Sequence, residues 1–152
     1  MTEEDLKGNV ALVTGGSLGI GRATCVALAQ AGAQVAVNYH SHPAEALQVV
    51  RAIRDIGSQA IAVQAAVADQ SAVEQMAAQV VEHFGKLDIA VANAAYSDRE
   101  LFVAADMDGF RRTCGFTKWG ACDLMRSAPR PLFKQGAPGA IVLVTSPAAV
   151  TP

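Results

Sequence analysis

The 152-residue sequence predicts an α/β protein built on a doubly wound parallel sheet of about five strands. Three observations predict it. Strand and helix signals alternate along the chain in the order β-α-β-α-β-α-β-α-β, and such alternation belongs to parallel sheets with helices on both faces. The strand segments are near-continuous apolar runs, as expected for strands covered on two sides. A glycine-rich turn, Thr14 to Gly21, joins the first strand to the first helix.

Local signals justify each element in turn. Asn9-Val10-Ala11-Leu12-Val13 is a short apolar run that ends at Thr14-Gly15-Gly16, so it reads as a buried strand. The glycines lead into a helix from Gly19 to Ala31, which Gly32 stops as a C-cap. Gln34 to Asn38 is the second strand. Pro43 opens the second helix, where its missing N–H is harmless, and Gly57 stops it after about Ile56. Ala60 to Val63 is the third strand. Asp69 or Ser71 caps the third helix, and Glu74, three residues after Ser71, completes a capping box. Gly85 ends that helix, and Leu87 to Ala92 is the fourth strand. Asp108 starts a fourth helix that runs to about Arg126, where Pro129 and Pro131 forbid continuation. Ala140 to Val144 is the fifth strand.

Size and composition agree with one domain over residues 1–152, and a chain this long buries roughly 68–70% of its surface without disulfide or metal. Hydrophobic residues make up 51% and charged residues 17%, which excludes a disordered polyelectrolyte. The net charge of −2 and the lack of any basic run beyond Arg111-Arg112 argue against nucleic acid as a partner. Thr2-Glu3-Glu4-Asp5 is not the start of a secretory signal, and no run of 18 apolar residues provides a membrane span. Cys25, Cys114 and Cys122 show no metal spacing; an odd, scattered set reads as reduced, mostly buried thiols of a cytoplasmic protein. His40 and His42 have no third ligand near them and read first as part of a solvated loop, so no metal site is expected.

In open parallel sheets ligands bind at the carboxyl ends of the strands. Two features fall on that edge. Gly15, Ser17, Leu18, Gly19, Ile20 and Gly21 form a turn whose backbone N–H groups can approach a pyrophosphate, with a helix N-terminus behind it. Asn93, Ala94 and Ala95 follow the fourth strand; Asn93 is placed to brace that strand to its neighbour and the small residues beside it to let a cofactor lie close, the other reading being an ordinary strand end.

Together these residues resemble the short-chain dehydrogenase/reductase family. The spacing Gly15-x3-Gly19-x-Gly21 is similar to that family's glycine motif. Gly85-Lys86-Leu87-Asp88 with Asn93-Ala94 resembles its second hallmark, and Asn38-Tyr39 is similar to the glucose 1-dehydrogenase and 3-oxoacyl-carrier-protein reductase types. The resemblance covers Leu6 to Pro152 and implies a Rossmann-like fold, a nicotinamide dinucleotide as cofactor, and hydride transfer between an alcohol and a carbonyl. It implies cofactor contacts at the glycine turn, Asn38, Val67 and Asn93 to Ala95. NADP is favoured slightly over NAD, because Asn38 stands where an NAD enzyme would carry an acidic residue for the ribose, with His40 and His42 as weak partners for a phosphate.

The same resemblance implies a catalytic Tyr, a Lys four residues later, and a Ser. Ser146, after the fifth strand, matches the Ser. Tyr39 is followed at that distance by Pro43 and Tyr96 by Glu100, so no such Tyr–Lys pair exists in these 152 residues. The expectation is a chain that stops before its Tyr–Lys motif, with a sheet incomplete on its C-terminal side and the fifth strand left as an apolar edge prone to self-association. Thr117 stands where the family carries an Asn in the fourth helix. Ala66 replaces an Asp that contacts adenine, a loss of about 0.5–1.5 kcal/mol for one hydrogen bond. Three readings follow: part of an oxidoreductase acting on a small alcohol such as a sugar, a non-catalytic dinucleotide-binding module, or a scaffold that uses the exposed edge.

Overall fold

The computed structural model describes residues 6–97, 101, 103–128 and 139–146. In chain order these hold β1 (Val10–Val13), α1 (Gly19–Gln30), β2 (Gln34–Tyr39), α2 (Pro43–Asp55), β3 (Ala60–Gln64), α3 (Gln70–Phe84), β4 (Ile89–Ala92), α4 (Met107–Thr113), a π-helical turn (Cys114–Trp119), α5 (Gly120–Ser127) and β5 (Ala140–Leu143). The strands form one sheet in the order β3-β2-β1-β4-β5, every pair parallel. The chain steps outward from β1 to β2 and β3, then returns to the other side of β1 for β4. The order therefore reverses between β1 and β4, where such sheets open a crevice at their carboxyl ends.

Side chains alternate across a strand, so each inner strand feeds two cores. Val10, Leu12, Ala36, Ala90 and Ala92 point to one face, against Val73, Met76 and Val80 of α3 and Leu124 of α5. Ala11, Val13, Val35, Val37 and Val91 point to the other, against Cys25 and Ala29 of α1 and Val49 and Ile53 of α2. Below the sheet, buried Asp88 accepts from the N–H of Val10 at 2.8 Å and pairs with Lys86 at 2.9 Å. That contact fixes the register at which β4 enters beside β1.

Four sequence expectations change. Asp69 alone caps α3, accepting from the N–H groups of Ser71 (2.8 Å) and Ala72 (3.2 Å). With those donors satisfied the helix starts at Gln70, and the Ser71–Glu74 capping box does not form. The Ser71 hydroxyl accepts from Gln75 instead, and Glu74 from Gln70. The fourth helix begins at Met107, because Asp106 is a capping residue further upstream that accepts from the N–H of Asp108. It is also not continuous. The π-helical turn Cys114–Trp119 interrupts it, where Thr117 bonds to Tyr96 and Gly120 fits against Val67. Finally, only Cys25 is buried; Cys114 and Cys122 are half-buried. Pro129 and Pro131 lie outside the described residues. No helix among the described residues is long and apolar enough to cross a membrane.

Among the described residues β5 pairs with β4 alone, and all four of its residues are exposed. Covering on both faces holds for β1 and β4 and fails for β5.

Candidate functional site

The crevice is organised around Thr14, the residue after β1. Its buried hydroxyl donates to the carbonyl of Val91 (3.3 Å) and accepts from the N–H groups of Asn93 (3.0 Å) and Ala94 (3.1 Å). Asn93 returns the contact: its Nδ2 donates to the carbonyls of Thr14 (2.9 Å) and Gly15 (3.3 Å). The ends of β1 and β4 are thus clasped in both directions. The bracing expected of Asn93 is what its side-chain amide performs, and the residue also borders the crevice.

Asn38 clasps the other side. Its Oδ1 accepts from the N–H of Gly15 (3.2 Å), its Nδ2 donates to the carbonyls of Val63 (3.2 Å) and Ala65 (3.1 Å), and its own carbonyl accepts from Gly16 (2.8 Å). The side chain is 1% exposed and fully engaged by β3 and the turn. Asn38 therefore reaches a ligand only by shaping the wall.

Between these clasps the glycine turn has no room for side chains. Gly15 has φ +62° and its backbone lies against Ala94, so a Cβ there would sit 3.0 Å from the Ala94 Cα. A Cβ on Gly21 would run into the carbonyl of Gly15 and the amide of Asn93. Gly21 does not face the crevice; it lets α1 approach the turn. Leu18 precedes α1 in extended conformation, and no side chain caps the helix or places an acid in its first turn. The leading N–H groups of α1 and its positive end are left for an anion. Behind the turn Cys25 sits 3.9 Å from the carbonyl of Gly16, and burial pushes its thiol pKa up to about 12.

The crevice holds about 730 Å³, a volume typical of cofactor sites. Gly15, Ser17, Leu18, Gly19 and Ile20 form its floor; Asn93, Ala94 and Ala95 border one side, Asn38 and Val67 the other. Ten of the eleven positions singled out for a cofactor therefore meet in one place, with Gly21 beneath them. Ser146 lies just past β5, exposed and outside the lining.

Sequence reading missed a wall of rings and cations: Tyr39, Tyr96, Arg112 and Phe116, and the degree to which His40 and His42 belong to it. Phe116 stands between His40 (ring centroids 5.7 Å apart) and Tyr96 (6.1 Å). Thr117 fixes this arrangement, its hydroxyl donating to the carbonyl of Tyr96 (2.9 Å) and accepting from its N–H (3.2 Å). No sequence signal marked Phe116, because its direction is set by the π-helical turn. No Asp or Glu lines the crevice among the described residues.

A family model described as short chain dehydrogenase matches residues 9–152. L-rhamnose 1-dehydrogenase (NAD(P)(+)) of a Sphingomonas species is 39% identical over 141 residues, 93% of this chain and 56% of that protein. Versicolorin reductase of Emericella nidulans is 43% identical over 141 residues, 93% of this chain and 52% of that one. Among solved structures, a short chain dehydrogenase from Burkholderia cenocepacia in complex with NADP superposes with a TM-score of 0.89 at 36% identity, covering 95% of this chain and 58% of its own. One from Mycobacterium marinum gives 0.92 at 31%, covering 97% and 59%. The chain thus spans little more than half the length of the relatives it matches.

Proposed function

The chain belongs to the short chain dehydrogenase family, and from that membership we propose that its crevice binds a nicotinamide dinucleotide, NADP in preference to NAD. The observation that carries this is the clasped glycine turn, whose bare helix end faces a cleft with no carboxylate in its described lining. The pyrophosphate lies over the turn. A ribose 2′-phosphate at the β2 side meets Arg112, His40 and His42, and no acid repels it. The NADP complex of the Burkholderia relative and the printed NAD(P)(+) of the rhamnose enzyme support the choice of ligand.

The reaction class that goes with this cofactor is hydride transfer between an alcohol and a carbonyl, here a small alcohol such as a sugar. The likeness to an L-rhamnose dehydrogenase supports the sugar. Hydride delivery to a carbonyl leaves an alkoxide that needs a proton. A Tyr, with its pKa lowered by a nearby Lys, supplies one near neutral pH. Ser146 would hold the reacting oxygen. Because these 152 residues contain no Tyr with a Lys four positions on, they bind cofactor as one unit without turning substrate over. The three scattered cysteines, free in the described structure, support a reducing, cytoplasmic location.

Titration of the purified chain with NADPH and NADH, followed by nicotinamide fluorescence and melting temperature, tests the reading. Saturable binding, tighter for NADPH, is expected, with about 2.7 kcal/mol of added stability at a hundredfold excess over Kd. A cooperatively melting protein that binds neither would overturn it. A second reading rests on β5, whose Ile141, Val142 and Leu143 are 39–47% exposed. Such an apolar edge favours self-association. Sedimentation should find concentration-dependent association that Val142→Lys reduces.

A further inference from the structure

We infer that the adenine ring of the bound dinucleotide is held by stacking on Phe116 and not by side-chain hydrogen bonds to its edge, so that the site accepts purines with an altered edge. The inference rests on the dinucleotide reading above and concerns how one half of the ligand is recognised.

The fold fixes where that half lies. A pyrophosphate over the glycine turn sits at the end of β1, and the two nucleosides extend to either side. The β4–β5 side leads to Ser146 and takes the reacting ring. The adenosine therefore lies over the ends of β2 and β3. There the crevice wall on the β3 side is Ala65 and Val67, which carry no polar side-chain atom, and on the β2 side Tyr39, His40 and the Ser41–His42 pair, whose side chains bond to each other at 3.1 Å. The nearest amide, Asn38, is fully engaged with Gly15, Val63 and Ala65. The exocyclic amino group of adenine is a donor, and the described lining offers it no carboxylate.

What this region does offer is a ring. Phe116 is half-buried and lines the crevice. Its backbone is held over the end of β3 by the close approach of Gly120, where a Cβ would press on the Val67 carbonyl at 2.8 Å, while one on Gly115 would make an ordinary contact with Ala68 at 3.5 Å. Thr117, the next residue, ties the same segment to Tyr96. Phe116 is thus backed by Tyr96 on one side. On the other its neighbour is His40, an exposed ring on the loop after β2. A centroid separation of 5.7 Å leaves no room for a base between them, so the base takes the place that His40 now occupies and the His40 ring moves toward the ribose 2′-phosphate. Stacking reads only the face of a base, and every purine has one.

The experiment compares NADP with 1,N6-etheno-NADP, whose hydrogen-bonding edge is blocked while its face remains. Binding to the intact chain should agree within about threefold. Phe116→Ala should weaken both between about 5- and 150-fold, the span of base–aromatic stacking, and Phe116→Trp should restore both. Thermal melts of each variant without ligand report folding separately. A preference for NADP above tenfold, or unchanged affinity in a folded Phe116→Ala, would overturn the stacking assignment while leaving the dinucleotide reading intact. Failure of the intact, folded chain to bind either dinucleotide would overturn both.

Discussion

β1 and β5 are close to the same peptide, Val-Ala-Leu-Val and Ala-Ile-Val-Leu, and both run parallel beside β4. Yet every residue of β1 is wholly buried and every residue of β5 is exposed. The difference lies in what surrounds each strand. β1 has a strand on both sides and helices on both faces, whereas β5 has one described neighbour and open faces. Function divides along the same line. The glycine turn and its two asparagine clasps belong to the covered side of the sheet, while Ser146 hangs from the open edge. The proposed dinucleotide site therefore lies on the covered part of the molecule, and Ser146 on its exposed edge.

The comparison is most directly broken by paired truncations. Leu12→Ala should lose about 2–5 kcal/mol, since it leaves a cavity where no water or side chain can follow. Leu143→Ala, at 44% exposure, should lose no more than about 1 kcal/mol. Urea melts of the two variants measure the contrast, and equal losses would mean that β5 is covered in solution.

Gly21→Ala tests the tightness of the covered side at its functional end. The new methyl group meets the Gly15 carbonyl and the Asn93 amide, both held by the clasp. A loss of about 1–3 kcal/mol is expected from overpacking, with dinucleotide affinity falling as the turn is displaced. Gly115→Ala is the internal control, because its methyl group would make an ordinary 3.5 Å contact.

Cys25 sharpens the contrast through pH. Its thiol stays protonated in the fold up to about 12, while in the unfolded chain it ionises near 9. Between those values the unfolded state binds fewer protons, so stability falls as pH rises, by at most about 1.4 kcal/mol per unit from this group. Denaturant melts from pH 8 to 10.5 should slope downward, and less steeply in Cys25→Ala. In the native protein at pH 8, Cys114 and Cys122 should react with a thiol reagent well before Cys25 does.

Much of the fold was legible because its signals are local. The alternation of apolar runs and helices gave the strands to within one or two residues, and Asp69, Pro43 and the stop glycines Gly32 and Gly57 bounded helices as local chemistry requires. The fourth helix was misread because its interruption is not a property of its own sequence. Thr117 bonds to Tyr96, twenty-one residues away, and Gly120 fits against Val67. The same limit applied to the site. Glycine spacing marked the floor of the crevice, since only glycine tolerates that turn. Phe116 and Arg112 joined it from a distant segment, with no local mark.

The sequence by itself determined the α/β class, the parallel sheet and the glycine turn, because backbone propensity, apolar period and steric permission act over a few residues. The tertiary structure alone decided that Asn38 and Asn93 act as clasps, that Phe116 joins the crevice wall beside His40 and Tyr96, and that one of two similar strands is core and the other edge. Those outcomes depend on which groups meet across the sheet, and a hydrogen-bond partner 23 to 79 residues away leaves no trace in the local sequence.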